Sequence, residues 1–185
     1  TSDTVVMTVE NGCNYIQEKD GQQYGYTYIQ SPLTAFIGDA FNYASGSQVS
    51  FFFGGYVRSS LFEGDFTVAE SAIDHSAGSS LVTCNLSGRQ LAAICTFDAM
   101  CSGEADGVLY GGAGTLHSSN MRYEYTAADG TISCDVNTIE IYDPQTQTWN
   151  PLELDKAYLC SFTFESTQNL VSYMPALTEG LGYGA

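Results

Sequence analysis

The feature that most constrains this chain is its rhythm: about nine or ten short β-prone stretches follow one another, punctuated by glycine-containing turns. Thr4 to Glu10 is rich in β-branched residues, and Tyr24 to Gln30 alternates aromatic with small or polar ones. Val49 to Arg58 is apolar but broken by Gly54-Gly55, which predicts a bulge or bend. Leu61 to Ala69, Ser80 to Leu86 and Gln90 to Phe97 follow, with Ser87-Gly88 as a tight turn between the last two. Gly107 to Tyr110, Met121 to Thr126, Thr131 to Tyr142 and Tyr158 to Phe164 complete the series, with Ala128-Asp129-Gly130 as a further turn. Helical spacing of apolar residues occurs only in Pro32 to Ala44. The pattern predicts an all-β fold with one short helix: an antiparallel, lipocalin-like β-barrel, or alternatively a β-sandwich. Residues 1–165 are expected to form one β domain, and residues 166–185 a polar, Gly-rich C-terminal tail.

Charge narrows the function. Five Lys and Arg stand against 21 Asp and Glu, a net charge of −16, and the cations are scattered. Binding to nucleic acid or to an anionic membrane surface needs clustered cations, so both are excluded. The acidity reads as solubility through self-repulsion. A calcium ion is the open alternative; Asp135, Asn137 and Glu140 supply oxygen ligands but without calcium-loop spacing. No apolar run reaches the roughly 18 residues of a membrane-spanning segment.

The six cysteines, Cys13, Cys84, Cys95, Cys101, Cys134 and Cys160, form no CxxC pair and no zinc-type cluster with His75 or His117. No metal or cofactor is predicted. An even number of cysteines predicts disulfides and an oxidising compartment, with Cys84 and Cys95 facing across a hairpin and Cys13 or Cys134 bonded to Cys160. The sequon Asn85-Leu86-Ser87 is a candidate glycosylation site. Together these features predict a secreted or otherwise extracytoplasmic protein, the thylakoid lumen included, whose signal peptide was cleaved before Thr1.

Two stretches resemble known families. Ile139 to Leu152, centred on Tyr142-Asp143-Pro144 and Trp149, resembles a single hairpin of a kelch propeller blade. Val108 to Leu116, with Gly111-Gly112-Ala113-Gly114, resembles the glycine-rich stretch of allene oxide cyclase and dirigent-like β-barrels, within a similarity from Gly46 to Thr126. That resemblance implies a barrel that holds a small apolar ligand and guides its cyclisation or coupling without a metal. The glycines lack the Lys-Ser/Thr of a phosphate-binding loop.

Among chemistry-bearing residues, Glu104, Asp106 and Asp98 gather near one loop and are the candidate acid–base groups. Asp74-His75-Ser76 has the residue types of a triad but not the spacing of one. Tyr24, Tyr26 and Tyr28 alternate along one strand face and, with Trp149, are the candidate ligand-stacking aromatics. The expected function is therefore small apolar ligand binding in a disulfide-stapled barrel. The alternatives are an acidic, non-catalytic interaction subunit of an extracytoplasmic protein assembly and a carbohydrate-binding module.

Overall fold

A computed structural model describes residues 3–13, 17–19, 21–24, 32–57, 59–70, 80–105, 108–111, 116–164 and 166–167. At its centre is a four-stranded sheet in the order β6-β15-β4-β9, where β4 is Val49–Phe53, β6 Leu81–Ser87, β9 Leu116–Ser119 and β15 Ala157–Thr163. The inner strands β4 and β15 run parallel, with Cys160 opposite Val49 and Phe162 opposite Phe51. Strand β6 lies antiparallel to β15, and β9 antiparallel to β4.

Two helices cover this sheet, one on each face. Helix α1 (Pro32–Ser45) buries Leu33, Thr34, Gly38 and Asn42; the four-residue steps from Thr34 to Gly38 to Asn42 put these on one stripe, with Leu33 beside it. Proline opens it, and Gly46, at φ +70°, closes it by donating from its amide to the Asn42 carbonyl. Helix α2 (Gly88–Met100) opens with a capping box: Ser87 Oγ accepts from the Gln90 amide, and the Gln90 side chain accepts from the Ser87 amide.

With both faces covered, all five residues of β4 are buried, and alternation decides only which helix each one meets. Val49, Phe51 and Phe53 join Phe162, Leu86, Leu91 and Ile94 in the main core on the α2 side. The rings of Phe51 and Phe162 stack at 5.3 Å. Phe52 points the other way, to Leu33, Val57 and Leu61. The α1 seam also carries small hydroxyl residues. Ser50 Oγ donates to the Gly38 carbonyl at 2.8 Å, Ser119 Oγ to Asp39, and Ser47 Oγ to Asn42 Oδ1 at 2.8 Å. A Cβ on Gly38 would stand 2.6 Å from Ser119 Cβ, so the glycine sets how closely helix and sheet approach.

Smaller antiparallel sheets surround this core. Strands β7 (Ser102–Ala105), β8 (Val108–Gly111), β11 (Tyr125–Ala128) and β12 (Thr131–Cys134) form one in the order β11-β12-β7-β8. A second comprises β10 (Met121–Arg122), β13 (Glu140–Asp143) and β14 (Thr148–Pro151). Strand β1 (Val5–Val9) pairs with β5 (Gly64–Thr67), and β2 (Gln17–Lys19) with β3 (Gln22–Tyr24).

Several expectations are corrected. The fold is mixed α/β with no closed barrel among the described residues, neither a lipocalin-like barrel nor a β-sandwich, because helices pack on both faces of a sheet that contains a parallel pair. The stretch Gln90 to Phe97 is helical: Leu91, Ala92, Ile94, Cys95 and Ala99 form one buried stripe of α2, and Ser87-Gly88 is its start rather than a hairpin turn. The kelch-like stretch forms the β13–β14 hairpin, with Tyr142 opposite Trp149, in a three-stranded sheet rather than a propeller blade. No disulfide staples the fold, since all six cysteines are free thiols. With Cys95 on a helix, it cannot face Cys84 across a hairpin; Cys84 instead lies opposite Cys160 on β6 and β15.

Candidate ligand-binding end of the central sheet

Because β4 and β15 are parallel, their carboxyl ends emerge on the same side, and in open α/β sheets that end is where ligands bind. The antiparallel neighbours bring their beginnings there: Phe53 pairs with Leu116, the first residue of β9, and Thr163 with Leu81, the first of β6. A turn of 3₁₀ helix over Gly54–Tyr56 follows β4. The backbone and hydroxyls of this end are bound to one another. The Phe53 amide donates to Ser166 Oγ at 3.3 Å, Ser166 Oγ and Thr163 Oγ1 lie 2.6 Å apart, and the Phe164 amide donates to the Ser80 carbonyl. Ser166, Thr163 and Thr167 are buried. His117, also buried, stacks on Phe52 at 5.7 Å on the α1 side.

Asp98 belongs to this end. It lies in the last turn of α2, and its part-buried carboxylate accepts from the Leu116 amide at 2.8 Å and from Tyr123 Oη at 2.7 Å. Burial raises the Asp98 pKa, and the two hydrogen bonds oppose that shift. Burial, then the neighbouring Asp98 charge, pushes the Tyr123 phenol well above its ordinary range.

The other sequence candidates fall on other elements or outside the described residues. Glu104 falls on β7, a separate element from Asp98; its side chain, and Asp106 altogether, lie outside the described residues. Tyr24 ends β3, and its side chain lies outside the description, as do Tyr26, Tyr28 and Asp74-His75-Ser76. Trp149 is half-buried under Arg122, whose guanidinium sits 4.2 Å from the ring centroid, and against Tyr142 at 5.2 Å. Asp135 accepts from the Asn137 amide and Glu140 pairs with Arg122, so these oxygens serve local structure. Among the described residues no three His, Cys, Asp or Glu side chains are grouped to hold a metal ion. Asn85 is exposed on the edge strand β6. No described helix is long and apolar enough to cross a membrane.

A cleft of about 580 Å³ opens at the opposite end of the sheet, lined among others by Gln48, Asp143, Glu153, Lys156 and Tyr158. Several of its polar groups are engaged with one another or with backbone. Lys156 pairs with Glu153 at 3.1 Å, Tyr158 Oη accepts from the Glu153 amide, Asp143 from Gln145 and Gln48 from the Leu159 amide.

The thiols differ sharply. The Cys95 thiol donates to Met121 Sδ at 3.7 Å, and hydrogen bonding between Cys95 and Cys134 lowers the Cys134 pKa and raises that of Cys95. Burial pushes Cys84 up to about 11, and raises Cys160 further still. Thiolate is the reactive form. Titration of the unfolded chain with an aromatic disulfide reagent is therefore expected to find six thiols, and Cys134 to be alkylated well before Cys84, Cys95 and Cys160 in the folded protein near pH 8. A count of four or fewer would contradict the free-thiol structure.

Three comparisons bear on what this fold is. A crystal structure of a 5'-nucleotidase precursor from Thermus thermophilus superposes on 89% of this chain with a TM-score of 0.64 at 19% identity. The NAD nucleotidase of Haemophilus influenzae covers 91% at a TM-score of 0.61 and 19% identity, and a putative 5'-nucleotidase from Staphylococcus aureus covers 75% at 0.58 and 12%. This chain spans 30%, 31% and 28% of those three chains respectively. Comparison with curated protein sequences gives no significant match. The sequence profile described as "5'-nucleotidase, C-terminal domain" matches residues 5–163. That match covers most of the chain and displaces the allene oxide cyclase, dirigent and kelch resemblances: the chain belongs to the 5'-nucleotidase C-terminal domain family.

Proposed function

We propose that this chain is the substrate-recognising domain of a 5'-nucleotidase-type protein and that it holds a nucleoside 5'-monophosphate at the carboxyl end of β4 and β15. Membership of the family over residues 5–163 carries this reading. The convergence at one sheet end of Phe53, Gly54, Leu116 and Ser166 supports the placement. The chain spans under a third of the length of these structural relatives, and the proposal concerns recognition of the nucleotide by this domain. An extracytoplasmic setting agrees with the Thermus relative being a precursor.

This role replaces the small apolar ligand of a disulfide-stapled barrel, and with it the acidic interaction subunit and the carbohydrate-binding module. The family match and the α/β sheet leave no barrel interior to fill.

Isothermal titration of the 185-residue chain with adenosine 5'-monophosphate tests the proposal. The expected result is saturable binding with a dissociation constant below about 1 mM, weaker for adenosine or for inorganic phosphate alone. Equal affinity for a non-nucleotide phosphate ester, or no saturation with any nucleotide, would overturn it.

A further inference from the structure

Strand β9 is the last strand of the central sheet, and its first amide, that of Leu116, is taken by a carboxylate rather than by another strand. The same carboxylate takes the hydroxyl of Tyr123, which follows β10. Asp98 thus fastens α2, the start of β9 and the chain after β10 at one point. Leu116 in turn is the register partner of Phe53, the residue directly before the Gly54–Gly55 turn. One side chain with acceptor oxygens for both the Leu116 amide and the Tyr123 hydroxyl is what this point requires, and Asp98 supplies it.

We propose that Asp98 is a positioning residue for the ligand-binding end: through the Leu116 amide it fixes the start of β9 against Phe53 and so sets the geometry of the Gly54–Gly55 turn. The proposal rests on the reading of that end as the nucleotide site. Asp98 touches the fold and not the ligand, so its effect on binding is indirect. The titratable groups that share its electrostatic surroundings are Tyr123, Cys95, Cys101 and Cys134.

Two readouts on the full 185-residue chain separate the possibilities: amide hydrogen exchange at Leu116 and His117, and titration with adenosine 5'-monophosphate. Asp98→Ala is expected to speed exchange at Leu116 and to weaken nucleotide binding, each by about tenfold or more, while exchange within β15 is unchanged. Asp98→Asn, which keeps an acceptor for the Leu116 amide, is expected to stay within about threefold of the parent in both. Asp98→Ser is too short to reach Leu116; it carries the same expectation as alanine and serves where the alanine variant fails to fold. Unchanged exchange at Leu116, or unchanged affinity in a folded alanine or serine variant, overturns the positioning role alone. Accelerated exchange together with no nucleotide binding by the unsubstituted chain overturns the proposed function, and the positioning role with it.

Discussion

Gly88→Ala is expected to destabilise the domain by about 3 kcal/mol or more, the upper end of what overpacking costs. A Cβ built on Gly88 overlaps the Glu153 carbonyl oxygen and lies 2.8 Å from both the Glu153 carbonyl carbon and Leu154 Cα. All three are backbone atoms, so no rotamer change relieves the clash. The loop cannot retreat without loss either. Its carbonyls accept the first amides of α2: Gly88 donates to Lys156 and Arg89 to Leu154, both at 3.0 Å. These are the donors a helix start leaves without an internal partner. Urea denaturation should show a lower midpoint with an unchanged slope, because the surface exposed on unfolding stays the same. A midpoint equal to that of the parent would contradict the backbone approach of α2 and the β14–β15 loop.

Phe162→Ala is expected to cost about 3–5 kcal/mol, the range for emptying a fully enclosed aromatic site. Phe162 is 1% exposed, stacks on Phe51 and sits on the strand that pairs in parallel with β4. The cavity would open between the two central strands and α2, where every neighbour is held by its own strand or helix and cannot collapse inward. For a domain of this size the melting temperature should fall by about 10 °C or more, as followed by far-ultraviolet circular dichroism. A change of only one or two degrees would mean that the parallel pair is not the centre of the core.

The individual strands were far more legible than their assembly. Thr4 to Glu10, Ser80 to Leu86 and Tyr158 to Phe164 announce β1, β6 and β15 through local composition, and the spacing of Leu33, Ile37 and Phe41 announces α1. The parallel pairing of residues 49–51 with residues 160–162 leaves no local trace, since its partners lie more than a hundred positions apart. The nearest clue is Phe51-Phe52-Phe53, an unbroken apolar run of the kind that a strand covered on both faces requires. Helix α2 carries a local signal, since Ser87 and Gln90 stand at capping-box spacing ahead of Leu91, Ile94 and Cys95, but Thr96 and Phe97 lend the stretch a strand-like composition.

The candidate site was legible only in part. Asp98 stands out as an acid in an apolar stretch, yet its partners, the Leu116 amide and Tyr123, are brought to it by the turn of α2 and the edge position of β9. Of its sequence neighbours, Glu104 lies on β7 with its side chain outside the described residues. The even number of cysteines misleads for a related reason. Cys84 and Cys160 meet through strand register, and Cys95 and Cys134 through helix–strand packing, so none of these juxtapositions follows from spacing along the chain.

Amide chemical-shift mapping during titration with adenosine 5'-monophosphate tests the proposed nucleotide site most directly. The largest changes are expected at Gly54, Gly55, Leu116 and Ser166, at the carboxyl end of β4 and β15. Changes confined to Gln48, Asp143 and Lys156, at the far end of the sheet, would contradict the account, as would a spectrum that nucleotide leaves untouched.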